Sequence, residues 1–171
     1  MREILFKAKL KDWKTNQQQN KWAEGYYLSK KETTYCFAED YEKFPVKTLH
    51  YIAVDSMTDW GLPNEFRCYE IDPDTLCQYT GQNDMNQNKI WENDIVKKEF
   101  YTDYERFANS EEYIGEVEYE DCAWNIVYNK DGHKFVHPML MAIEFGESNH
   151  YRVISNIFDN PELLKGEEIS K

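Results

Sequence analysis

Apolar and polar residues alternate along most of this chain with a period of two, which is the signature of half-buried strands. Ile4, Phe6, Ala8 and Leu10 alternate with Leu5, Lys7 and Lys9, predicting a first strand. Trp22 to Leu28 and Thr33 to Phe37 predict a hairpin around Ser29-Lys30-Lys31-Glu32. His50 to Val54 predicts a short strand, and Thr58 to Glu65, with Gly61 and Pro63, a connection. The stretch Glu70 to Val96 reads as strand, polar turn and strand: Thr75, Cys77 and Tyr79 alternate before the turn, and Ile90 and Trp91 follow it. Gly81, Asn83, Asp84, Asn86 and Asn88 supply turn chemistry, and Glu92-Asn93-Asp94 makes a second corner into Ile95-Val96.

Further along, Tyr101 to Tyr113 fits a helix capped by Thr102 with Glu105 three residues on, or equally a charged loop. Ile114 to Glu120 and Ala123 to Tyr128 alternate again, and Asn129-Lys130-Asp131-Gly132 holds the Asp-Gly pair of type I′ hairpins. Lys134 to Val136, Pro138 to Phe145 and Tyr151 to Phe158 complete the strands, with Gly146 to Asn149 as a turn. Pro161 opens a short helical turn after Asn160, and Glu167 to Lys171 reads as a frayed tail. Thr15 to Asn20 reads as a polar loop. The expected fold is mainly β, with one or two short helices and a small SH3-like barrel in the C-terminal half. It forms one domain, 1–171, with an N-terminal β subregion 1–69 and a barrel-like subregion 70–165.

Composition sharpens this picture. Of 171 residues, 41% are hydrophobic and 16% aromatic, enough large rings to build a core. The net charge of −12 is uneven: residues 1–74 carry −2 and residues 75–171 carry −10. Between Glu99 and Asp121 nine carboxylates face the single Arg106, a surface that repels phosphates and disfavours direct nucleic-acid binding. Absence of a signal-peptide pattern and of a long apolar run predicts a cytoplasmic protein without membrane contact. Cys36, Cys68, Cys77 and Cys122 are far apart and predict reduced thiols that serve as small packing residues.

The motif Asp72-Pro73, Thr75, Gln78-Tyr79-Thr80-Gly81, Asp84, Asn86, Ile90, Glu92 and Asp94-Ile95-Val96 resembles the YopX family of phage and prophage proteins. Trp91 stands for the family's Tyr. The opening Arg2-Glu3-Ile4 with Phe6 and Ala8, and the finish Tyr151 to Leu163, are similar to the family's ends. Gln87, Asn93 and Ser155 stand where the family has Gly. Asn93 tolerates positive φ; Gln87 does so less readily, which predicts that Asn86 or Asn88 absorbs the strain. The resemblance implies phage or prophage origin, hence a bacterial host cell. It supplies no catalytic residues.

Candidate constellations are each matched by a plainer reading. Asp84, Asn86 and Asn88 mimic the start of a calcium loop, but Lys89 and Ile95 replace its Gly and Glu, so a hairpin turn is preferred. His133 and His137, with Cys122 upstream, have zinc-like spacing only on a helix, which Gly132 and Pro138 oppose. Glu116, Glu118 and Glu120 share one face of a strand, with Val117 and Tyr119 on the other; a solvated face is preferred to a carboxylate pair for hydrolysis. Tyr26, Tyr27, Tyr35, Tyr41 and Tyr51 form core or a recognition surface. No metal, cofactor or catalytic residue is assigned. The leading expectation is a non-enzymatic accessory protein whose acidic face, Glu116, Glu118 and Glu120, meets a basic protein partner, in one version by DNA mimicry. The rivals are a small enzyme with a pocket from Asp94, His137 and Glu144, and a structural homo-oligomer.

Overall fold

A computed structural model of the chain describes residues 3–12, 22–98, 113–139 and 151–165. The predicted loop 15–20, residues 101–112 of the helix-or-loop segment, most of the strand 138–145, the turn 146–149 and the tail from 167 lie outside these residues. The described residues are mainly β, and they fall into two units that divide between Gln78 and Tyr79.

The first unit holds β1 (Phe6–Lys9), β2 (Trp22–Lys31), β3 (Thr48–Ser56) and β4 (Glu65–Glu70), antiparallel in the order β4-β3-β2-β1. The start of β5 (Cys77–Asn83) pairs with β1 through Phe6↔Gln78 and Lys7↔Cys77. Ala8, Ala23, Ile52 and Ile71 are buried on one face, with Phe6, Leu10, Tyr27, Val54 and Leu76 packed around them. β3 approaches Gly25 so closely that an added Cβ would lie 2.2 Å from the Ala53 carbonyl oxygen. A side chain there would force the strands apart.

Two expectations for this unit are corrected. The predicted hairpin from 22 to 37 does not form: β2 runs on to Lys31 because β3 supplies its partner, from Tyr26↔Ala53 to Lys31↔Thr48. Thr33 to Phe37 is irregular and leads into α1 (Ala38–Lys43). Glu39 and Asp40 at the start of α1 and Lys43 at its end suit the helix dipole. β4 was also not predicted. Its sequence offers only the brief alternation of Phe66 and Cys68 with Glu65 and Arg67, and nearly all its residues are exposed, on both faces.

In the second unit β5 continues and pairs with β6 (Lys89–Trp91). Five further strands, β7 (Asp94–Lys98), β8 (Tyr113–Glu120), β9 (Ala123–Lys130), β10 (His133–Pro138) and β11 (Tyr151–Asn156), form an antiparallel sheet in the order β10-β9-β8-β7-β11. Its core is Ile90, Val96, Val117, Ile126, Met139 and Tyr151. The expected SH3-like barrel goes further than this: among the described residues no pairing joins the outer strands β10 and β11. The Asp131-Gly132 turn has positive φ at both residues (51° and 76°), as type I′ requires. A second two-residue turn, Asp121-Cys122, does the same (54° and 63°) with less accommodating residues. Pro161–Lys165 is a short 3₁₀ segment, as the Asn160-Pro161 signal anticipates.

Candidate functional site

Polar residues of the stretch 72–96 bond mainly to the backbone. Asp72 accepts from Asp74 N–H and opens a 3₁₀ turn over Pro73–Thr75. The buried Thr75 hydroxyl accepts from Lys9 N–H at 2.9 Å and donates to the Asp72 carbonyl at 2.8 Å. Gly81 and Asn83, expected in the turn, lie inside β5, where the register slips between Tyr79↔Trp91 and Asn83↔Lys89. Gly81 takes φ 87° at that irregularity. There the Thr80 hydroxyl donates to the Ile90 carbonyl and accepts from Gln82 N–H, replacing ladder bonds the slip removes.

The turn proper is Asp84 to Asn88. Asp84 is wholly buried, and its carboxylate accepts from Asn86 N–H and Asn88 N–H (both 2.8 Å), the Asn88 amide and Val153 N–H (both 3.2 Å). Burial pushes its pKa up, but these four hydrogen bonds outweigh burial and hold it below the usual carboxylate range. Both carboxylate oxygens thus face protein donors, as a hairpin turn requires. Met85 N–H also donates to the Tyr151 carbonyl, so the turn is fastened along the outer edge of β11. Gln87 itself, rather than Asn86 or Asn88, takes the left-handed conformation (φ 67°), which corrects the expected strain relief; its N–H donates to the Asp84 carbonyl.

The second corner works the same way. Asn93 takes φ 64°, as its side chain allows. Its N–H donates to the Val117 carbonyl, and its carbonyl accepts from Ile157 N–H. The buried Asp94 carboxylate accepts from Trp91 N–H at 2.9 Å. In the closing stretch the Asn156 side-chain oxygen accepts from the N–H groups of Phe158 and Asp159, both at 3.0 Å. The middle and end of the signature therefore interlock within the second unit by backbone bonding.

The remaining candidates are dispersed. His133 and His137 lie on β10, and four strand residues span about 13 Å, too far for one metal. The His137 ring stacks 6.0 Å from Tyr113, which itself stacks 4.1 Å from Tyr128. Among the described residues no group of three His, Cys, Asp or Glu side chains could hold a metal ion. Of the proposed pocket residues, Asp94 serves its corner, His137 stands among rings, and Glu144 lies outside the described residues. Glu116 and Glu118 are half-buried, Glu120 is exposed, and Lys134 lies 3.6 Å from Glu118. Burial, then the neighbouring Glu118 charge, raises the Glu116 pKa, with Lys134 opposing. Only Cys77 of the four thiols is buried, which corrects the packing role expected for Cys36, Cys68 and Cys122; none of the four is in a disulfide. On Val117's face of β8, Tyr119 is exposed and packs on Trp124 at 4.8 Å.

Among the tyrosines, Tyr27 is partly buried and shares a 2.6 Å hydrogen bond with His50 Nδ1. Tyr35 and Tyr41 pack edge to face, and Tyr51 is half-buried. Tyr26 is the exposed one, and sequence reasoning missed its company. β2, β3 and β4 register Tyr26 with Ala53 and Cys68, and Leu28 with Tyr51 and Glu70. Phe66, two residues from Cys68, lies on the same face, its ring edge-to-face with Tyr26 at 6.0 Å. Tyr26, Leu28 and Phe66 are 47%, 48% and 64% exposed, on the face opposite Ile52 and the core.

Buried polar residues thus order turns between the antiparallel strands of a mainly β protein. The chain belongs to the YopX protein family, whose model matches residues 9–165. The crystal structure of protein EF1440 from Enterococcus faecalis is similar at 19% identity, over 96% of this chain and 99% of that one, with a TM-score of 0.38. No curated protein matches the chain. No helix among the described residues is long and apolar enough to cross a membrane.

Proposed function

We propose that the protein is a non-enzymatic, phage- or prophage-encoded accessory protein that acts in the cytoplasm of its bacterial host by binding another protein. The observation that carries this reading is the apolar surface of the first unit, where Tyr26, Leu28 and Phe66 share one face and are 47%, 48% and 64% exposed. Contiguous apolar surface of this kind is characteristic of interaction sites, and aromatic anchors dominate their energetics. The net charge of −12 favours a basic partner and speeds its approach. Glu116, Glu118 and Glu120 belong to that long-range field, with Glu120 exposed and Glu116 and Glu118 half-buried.

The test is affinity capture from host lysate, with and without phage infection, comparing the wild-type chain with the Tyr26→Ser/Leu28→Ser variant. Matched thermal melts establish that the variant folds. A specific partner captured by the wild type should bind the variant at least about tenfold more weakly, the effect of losing a modest anchor. Equal capture by both proteins would defeat this reading.

A further inference from the structure

Single exposed apolar side chains are ordinary on a folded surface. The connection from β3 to β4 gathers three: Met57, Trp60 and Leu62 are 71%, 91% and 59% exposed. Phe66, near the start of β4, continues this apolar surface towards Tyr26.

The connection is ordered by its own hydrogen bonds. Leu62 N–H donates to the Asp59 carbonyl at 3.2 Å, closing a four-residue turn, and Gly61 takes φ 78° at its third position. Type II turns need a positive φ there, which Gly adopts without strain. Trp60 N–H donates to the Asp59 carboxylate at 2.7 Å, and the Thr58 hydroxyl donates to the Pro63 carbonyl at 2.9 Å. At the base, the Asn64 amide donates to the Asp55 carboxylate at 3.3 Å. An indole held out in solvent by an ordered turn costs less entropy to bind than one on a floppy loop.

The charge around it has one sign. Between residues 55 and 66 the charged side chains are Asp55, Asp59 and Glu65, without Lys or Arg. Glu65 pairs with Arg67 at 3.3 Å, while among the described residues no ion pair reaches Asp55 or Asp59.

We infer that the β3–β4 turn is a docking finger whose Trp60 enters an apolar pocket of a protein partner, rimmed by Lys or Arg. This rests on the binding role proposed above and names the site that receives it. A membrane fits worse, because Asp55 and Asp59 oppose anionic headgroups where interfacial anchors carry Lys or Arg. A second copy of the chain fits worse too. The exposed Lys30, Lys31, Lys43 and Lys47 lie in sequence among Glu32, Glu39, Asp40 and Glu42, so that stretch offers no excess of positive charge.

The experiment places a benzophenone side chain at position 62 of the full-length protein and irradiates it in host lysate, with and without phage infection. Trp60→Ser and Asp55→Asn/Asp59→Asn carry the same probe, and thermal melts establish that each folds. A separate arm tests binding to vesicles of phosphatidylcholine, alone and mixed with phosphatidylglycerol. The otherwise wild-type chain should form an adduct with a protein other than itself. Trp60→Ser should lower the adduct yield at least about tenfold, as loss of an anchor does. Added salt should lower the wild-type yield several-fold and leave that of the double Asn variant nearly unchanged. Undiminished adduct in Trp60→Ser, or a wild-type yield that salt does not lower, overturns the inference. So does the same salt response in the double Asn variant, the absence of any adduct, adducts only between copies, or binding to either vesicle. If the finger fails while Tyr26→Ser/Leu28→Ser still loses its captured partner, docking through Trp60 falls and the binding role stands.

Discussion

Asp84 shows how far one side chain can organise a fold. A carboxylate accepting four hydrogen bonds from buried surroundings is favoured in its charged form, so its folded pKa lies below the unfolded value of about 3.9. Its contribution is therefore present above that unfolded value and lost as pH falls through the folded pKa. Asp84→Asn should destabilise the protein by about 2–3 kcal/mol at pH 7, the usual effect of losing charged hydrogen bonds in a buried site. The difference between variant and wild type should shrink at pH 3. Urea midpoints at the two pH values decide this; an equal gap at both would mean the charge is irrelevant. Gln87 raises a second point at this scale. An L-residue held at φ 67° is strained, and Gly relieves that strain at some entropic expense. Gln87→Gly should stabilise by roughly 0.5–1 kcal/mol, read as a higher melting temperature.

At the scale of elements, sequence legibility followed burial and range. The β9–β10 hairpin was plain because Asp131-Gly132 matches its turn and follows directly on the apolar run of β9, where Asn125, Ile126 and Val127 are buried. β4 was missed because its alternation is brief and both of its faces meet solvent. The segment 33–37 misled because its composition suits a strand, while β2 finds its partner beyond it in β3. Turn residues were located well at Asn93 and less well at Gly81, where a slip within β5 uses the positive φ. β10 is an outer strand of its sheet and carries a lysine at 134 and a proline, which has no N–H, at 138, both features that discourage edge pairing. Lys134→Thr with Pro138→Val restores a flat, uncharged edge beside the half-exposed Phe135 and Val136. That double variant should self-associate at concentrations where the wild type keeps its sedimentation coefficient; unchanged sedimentation would show that these two residues do not guard the edge.

For the whole molecule, the family signature was readable and its purpose was not. Asp84 mimics a calcium ligand in sequence because the backbone donors it meets, Val153 N–H among them, appear only with the fold. The candidate binding surface was unreadable for a different reason. Tyr26 and Phe66 are 40 positions apart in sequence, and only the β2-β3-β4 order brings them together. Charge, by contrast, is a bulk property, and the acidic balance needs no structure to be recognised.

The bond from Val153 to Asp84 spans 69 residues of chain, and β11 pairs with β7 rather than with its neighbour in sequence. Contacts of that separation must pay loop-closure entropy before they stabilise anything. During synthesis, β7 and the Asp84 turn emerge long before the strand that completes them. The β7 edge of the second unit can thus close only once residues 151–156 have arrived, and pairing of β11 is expected to be a late step of its folding.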